Sequence, residues 1–106
     1  MCDLRSRVAE ELGVEPAQAE ELLRTLLRVS REDLEALRRA AAAGQPDSVA
    51  HLAHHVKGAA ANLEIEDLRA ATERLEALAK QGQLASAAAE IEAVERALRG
   101  LETALP

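Results

Sequence analysis

The sequence predicts an all-α protein: an antiparallel up-down four-helix bundle with a short additional helix at its N-terminus. Three observations carry this prediction. In the C-terminal half, apolar residues recur at alternating three- and four-residue steps: Leu68, Ala71, Leu75 and Leu78, then Leu84, Ala87, Ile91, Val94, Leu98, Leu101 and Leu105. That spacing keeps one face of a helix apolar. Gly13, Gly44 and Gly82 punctuate the periodic segments, which makes the connections short and neighbouring helices antiparallel. Nowhere does the chain alternate with the two-residue period of a strand, repeat like a solenoid or show a disordered tract.

Each element has its own local signals. The first helix spans about Leu4 to Leu12, with Asp3 as N-cap and Gly13 as stop. Its apolar set (Leu4, Val8, Leu12) is thin, so it is expected to lie across the bundle as a lid formed by residues 1–15. Residues 16–106 are expected to form the bundle itself. The second helix runs from about Pro16, a residue suited to a first helical position, to Ala43, and buries Leu22, Leu23, Leu26, Leu27, Leu34 and Leu37. Ser30-Arg31-Glu32-Asp33 resembles a capping box, but no Gly or Pro intervenes, so one long helix is expected. Gly44-Gln45-Pro46-Asp47 is the first clear turn. The third helix covers about Pro46 to Leu63, the fourth Ile65 to Gln81 and the fifth Leu84 to Leu105.

Composition narrows the function classes. With 106 residues the chain supports one domain and one core. It contains no Phe, Tyr or Trp, so the core is built from Leu, Val, Ile and Ala, and the absence argues against base-stacking nucleic-acid modules. A net charge of −6 argues against binding to a phosphate backbone or an anionic membrane. The single cysteine, Cys2, excludes an intrachain disulfide framework and fits a reducing compartment, with an exposed thiol expected at a frayed terminus. No run approaches the ~18 apolar residues of a membrane span, and no signal-peptide apolar segment follows Met1. A cytoplasmic protein is expected.

The third helix carries the chemistry. Val49, Leu52, Ala53, Val56, Ala59, Ala60 and Leu63 share one stripe. At about 100° per residue His54 falls about 160° from its centre, facing solvent. Lys57 follows at i+3 and Gly58 at i+4, where a side chain would stand beside the imidazole. A helical glycine costs about 1 kcal/mol relative to alanine, so Gly58 implies that space beside His54 is wanted. Its rival reading is close packing against another helix. His51 lies one turn before His54 on the outer face, and His55 flanks the stripe as a partly exposed bystander.

The run Ala53-His54-His55-Val56-Lys57-Gly58, followed by small residues and Asn62-Leu63, resembles the motif of histidine phosphotransfer (HPt) domains of multistep phosphorelays. Leu68, Leu75 and Glu76 also fit, and the likeness covers roughly residues 20–105. The resemblance implies a phosphocarrier, not an autonomous enzyme, that relays a phosphoryl group between receiver-domain aspartates through Nε2 of His54. Neutral imidazole suits this role, being nucleophilic near pH 7. Lys57, one of two lysines beside eleven arginines, would neutralise the phosphoryl charge. Glu76 would accept a hydrogen bond from Nδ1–H and fix the tautomer; its bland alternative is an ordinary surface acid. A receiver domain of a hybrid histidine kinase or a response regulator would dock over His54, Gly58 and Ala61, with His51, His55 and Asn62 bordering the face. The receiver would bring its own Mg²⁺, so no cofactor is expected on this chain, and a monomer is expected because His54 must stay accessible. Three positions depart from the family pattern: Glu64 stands where Gly is usual, Ala59 where Ser is frequent, and Leu26 and Leu27 where an aromatic is common.

Two readings from other classes compete. His51, His54 and His55, with Glu76 or Asp47 as a further ligand, could form a metal site, although Lys57 would repel the cation. Alternatively the chain is a docking or dimerisation module that no longer relays, a reading that the joint presence of His54, Lys57 and Gly58 opposes.

Overall fold

The computed structural model describes residues 3–105, so the expectation for Cys2 falls outside the described residues. Five helices follow one another: α1 (Leu4–Leu12), α2 (Pro16–Ala42), α3 (Pro46–Asn62), α4 (Glu66–Lys80) and α5 (Leu84–Ala104), with no strand among the described residues. α2 packs against α3 and α5, α3 against α4 and α4 against α5, so the four longer helices close a ring around one core. At 1.5 Å per residue α2 alone is about 40 Å long, matching the 42 Å long axis of the molecule.

The core is built as its composition requires. Leu23, Leu34, Leu37, Leu68, Leu75 and Leu98 are fully buried, and Ala19, Ala53, Ala60, Ala71 and Ala87 lie between them. Small side chains let helices approach closely, and each buried Leu contributes about 1.5–3 kcal/mol. α1 lies against α2 and inserts Val8 and Ala9 into this core. Three expectations for the apolar faces are corrected. Leu22 is 43% exposed, and Leu12 is exposed with Ala9 taking the buried place. Along this stretch α2 buries Ala19, Leu23, Leu26 and Ser30; Leu22 and Leu27 flank that arc on opposite sides, and Leu27 packs against the core while Leu22 is left at the surface. Leu78 is likewise only partly buried, Ala79 filling the core position. α2 is continuous through Ser30, which is buried in mid-helix and caps nothing.

Arginines bind the helices at their rims. Arg31 joins α2 to Glu95 and Glu102 of α5, Arg38 reaches Glu92 at 2.8 Å, and Arg74 of α4 reaches Glu90 at 2.9 Å. Exposed pairs of this kind contribute roughly 0–1 kcal/mol each, so they set register more than stability.

The helix ends share one device. After α1, α2, α3 and α4 the chain closes a pair of backward hydrogen bonds, as in Val14 N–H to Ala9 O, Gln45 N–H to Ala40 O, Ile65 N–H to Ala60 O and Gln83 N–H to Leu78 O. This is the Schellman motif, which needs a left-handed residue. Gly13, Gly44 and Gly82 supply it at three ends, with φ of 69°, 68° and 72°. At the end of α3 the left-handed residue is Glu64, φ 55°. Its carbonyl accepts from Arg7 Nη2 at 3.3 Å, and the facing Glu11 carboxylate holds the Glu64 carboxyl above its ordinary range. A side chain in this conformation costs about 1–2 kcal/mol, partly offset in any exchange for glycine by the latter's greater unfolded-state freedom. Glu64→Gly is therefore expected to stabilise the fold by about 0.5–1 kcal/mol, raising the thermal midpoint by about 2–6 °C. A lowered midpoint in thermal unfolding would contradict the strain assigned to Glu64.

Candidate functional site

α3 buries Val49, Ala53, Val56 and Ala60. That phase turns position 54 outward, and the His54 side chain is 67% exposed. α3 also leans on α4, whose buried side is Leu68, Ala71, Thr72, Leu75, Glu76 and Ala79. Glu76 therefore sits inside the α3–α4 seam, only 5% exposed. A buried carboxylate is unfavourable unless it is paired and hydrogen-bonded, and Glu76 has three partners. Lys57 Nζ donates to Oε1 at 2.6 Å. Oε2 lies 3.1 Å from His54 Nδ1 and 3.1 Å from Lys80 Nζ.

This arrangement fixes protonation. The Lys57 hydrogen bond, opposed by burial and reinforced by Lys80, pulls the Glu76 carboxyl from 4.5 down to about 2. Near neutral pH it is a pure acceptor, so Nδ1 of His54 is the donor in the contact between them. Nε2 of the neutral ring then carries the lone pair. An imidazole held in this way can attack an electrophile through Nε2 while the carboxylate stabilises the positive charge that develops on the ring.

The other residues singled out from the sequence surround this cluster. Gly58, Ala61 and Asn62 are exposed on α3. A Cβ placed on Gly58 would meet no atom within 4 Å, so helix packing does not account for this glycine. His51 borders a shallow depression with Ala50, His54, Glu76 and Lys80. His55 turns the other way, toward α2, where its Nδ1 lies 3.1 Å from Asp33 Oδ2. There it edges an apolar groove of about 350 Å³ that includes Leu22, Leu26, Val29, Val56 and Asn62. A depression of about 650 Å³ between α1, α4 and α5 contains none of the His54 cluster. Among the described residues no three His, Cys, Asp or Glu side chains gather as a metal-binding group. No helix among them is long and apolar enough to cross a membrane.

Sequence reasoning passed over Lys80. The signal was its position four residues after Glu76, the spacing at which a helical acid meets a following lysine.

The depressed Glu76 carboxyl makes a prediction about acid. Its interactions stabilise the folded state fully above pH 4.5 and lose that effect as pH falls toward 2, because the unfolded chain takes up the proton first. Urea unfolding across that window should show Glu76→Gln losing less stability than wild type, the difference being on the order of 2 kcal/mol. Parallel curves for the two proteins would contradict this charge assignment.

Comparison with known proteins agrees with the geometry. Residues 21–104 match the Hpt domain family. The crystal structure of histidine-containing phosphotransfer protein B (HptB) from Pseudomonas aeruginosa PAO1 is similar, with a TM-score of 0.82 and 33% sequence identity over 90% of this chain and 84% of that one. No curated protein sequence matches. Hpt domains interact with receiver domains and kinases in two-component systems. An all-α chain with an exposed histidine held by a buried carboxylate, matching this family over most of its length, is a histidine phosphotransfer domain: the protein belongs to the Hpt domain family of phosphorelays.

Proposed function

We propose that His54 is the residue through which this domain relays the phosphoryl group, and that it acts as a phosphocarrier without a nucleotide site or cofactor of its own. The observation that carries the reading is the exposed imidazole whose Nδ1 rests on an ionised, buried carboxylate. In the forward step the Nε2 lone pair forms a bond to phosphorus as the phosphorus–oxygen bond of a receiver aspartyl phosphate breaks, and the aspartate leaves as carboxylate. Nδ1 keeps its proton and its hydrogen bond to the Glu76 carboxylate, so the ring becomes formally cationic beside the dianionic phosphoryl group. Return to a second receiver aspartate reverses the step. Lys57 supplies compensating charge, and Glu76 is a positioning residue.

The partners on this reading are receiver domains of a hybrid histidine kinase or of response regulators, the receiver contributing its Mg²⁺. They would dock over His54, Gly58 and Ala61, bordered by His51, His55 and Asn62. The open space at Gly58 supports this approach, and so does the exposed Leu22 at the edge of the apolar groove. We further propose that the described residues from 16 onward form an antiparallel up-down bundle, with the described residues before them as a lid, in a cytoplasmic monomer. The ring of contacts among α2 to α5 and the short turns between them support the bundle.

Transfer from a panel of purified, phosphorylated receiver domains tests the assignment. Wild type and His55→Gln should acquire acid-labile label, whereas His54→Gln should acquire none while keeping its helicity. Label on the His54 variant would overturn the assignment. Gly58→Gln, by obstructing approach, should slow transfer on the order of tenfold to a hundredfold; an unchanged rate would remove the access role of Gly58.

A further inference from the structure

The two lysines of the chain stand on different helices, yet both end on the same carboxylate. No arginine is among the groups that lower the Glu76 carboxyl; those with partners across the bundle serve as ties between helices. An ammonium on a four-carbon stem is a mobile point charge, whereas a guanidinium is a fixed fork. Placing both mobile cations beside His54 calls for an explanation, and charge balance supplies one.

Before reaction the cluster holds neutral His54, anionic Glu76 and two ammonium groups, leaving one positive charge in excess. Phosphorylation of Nε2 with Nδ1–H retained adds one net negative charge, since the cationic ring cancels one of the two charges on the phosphoryl group. The cluster then sums to zero. Without Lys80, Lys57 and Glu76 cancel one another and the phosphoryl charge is left uncompensated.

The two lysines are not held alike. Lys57 is 27% exposed and 2.6 Å from Oε1, whereas Lys80 is 66% exposed and 3.1 Å from Oε2. That same Oε2 faces His54 Nδ1 at 3.1 Å, so the Lys80 ammonium and the ring are within twice 3.1 Å of each other. They also border the same open depression. Building on the role proposed for His54, we infer that Lys80 is a second cation for the phosphoryl group, exchanging its contact with Glu76 for one with the phosphoryl oxygens.

The test needs no receiver, so its failure is separate from failure of the relay assignment. In the 106-residue chain carrying His51→Gln and His55→Gln, His54 is the only histidine. Potassium phosphoramidate, an anion, phosphorylates it: the donor phosphorus–nitrogen bond breaks, ammonia leaves and Nε2 gains the phosphoryl group. Diethyl pyrocarbonate, a neutral reagent, modifies the same ring. Lys80→Gln should slow the phosphoramidate reaction about fivefold, as expected for removing one charge a few ångströms away in water. It should leave the diethyl pyrocarbonate rate and the helicity unchanged, and Lys80→Arg should restore the phosphoramidate rate to within about twofold. An unchanged phosphoramidate rate would overturn the inference. Equal slowing by both reagents would also overturn it, because Lys80 would then act only through the placement of the ring. So would a single-histidine chain that takes no phosphoryl group from phosphoramidate.

Discussion

The buried carboxylate of Glu76 is the interaction on which the site depends. It lies in the α3–α4 seam, where an unpaired charge would be strongly destabilising, and it is tolerated because Lys57 and Lys80 hold it ionised. An ionised Glu76 can only accept, so it dictates which nitrogen of His54 carries the proton. The exposed ring is thereby oriented by a group that solvent barely reaches. Neither α3 nor α4 could build this alone, since the histidine and its orienting acid come from different helices. Packing the two helices together is what assembles the nucleophile.

The rest of the sequence fits that requirement. A core without aromatics keeps the helices close, and alanines at Ala53, Ala60 and Ala71 line the buried faces of α3 and α4. Arginines take the rim, where rigid paired hydrogen bonds suit the joining of helices, and lysines take the site, where a charge must follow a transferred group. Position 55 offers an instructive contrast. His55 also rests its Nδ1 on a carboxylate, Asp33, yet both lysines stand on the Glu76 side of α3. A histidine–carboxylate contact is thus present twice, and the lysine charge distinguishes one from the other.

Much of this was legible in the sequence, for reasons that can be stated. The period of α3 set the face of His54 because its apolar residues are numerous and regular. Gly13, Gly44 and Gly82 marked the helix ends because the left-handed turn favours glycine. At the fourth end no glycine stands and Glu64 adopts that conformation, yet the expected end near Leu63 falls within one residue of Asn62. Leu22 and Leu27 could not be ranked by hydrophobicity alone: Leu22 emerges at 43% exposure while Leu27 packs against the core, and only the partner helices decide between them. The burial of Glu76 was half visible. It shares a side of α4 with Thr72 and Ala79, but a charged residue on such an arc reads equally well as surface until its lysine partners are placed. Lys80 escaped attention because its role depends on a histidine that lies on another helix.

The most direct test of this account is the tautomer of His54, read by ¹H–¹⁵N correlation NMR of the imidazole nitrogens near neutral pH. With Glu76 ionised, His54 should give a protonated Nδ1 and an unprotonated Nε2, and loss of the carboxylate in Glu76→Ala should let the tautomers equilibrate. A wild-type ring protonated chiefly on Nε2 would contradict the account, because the nitrogen facing solvent would then have no lone pair with which to accept a phosphoryl group.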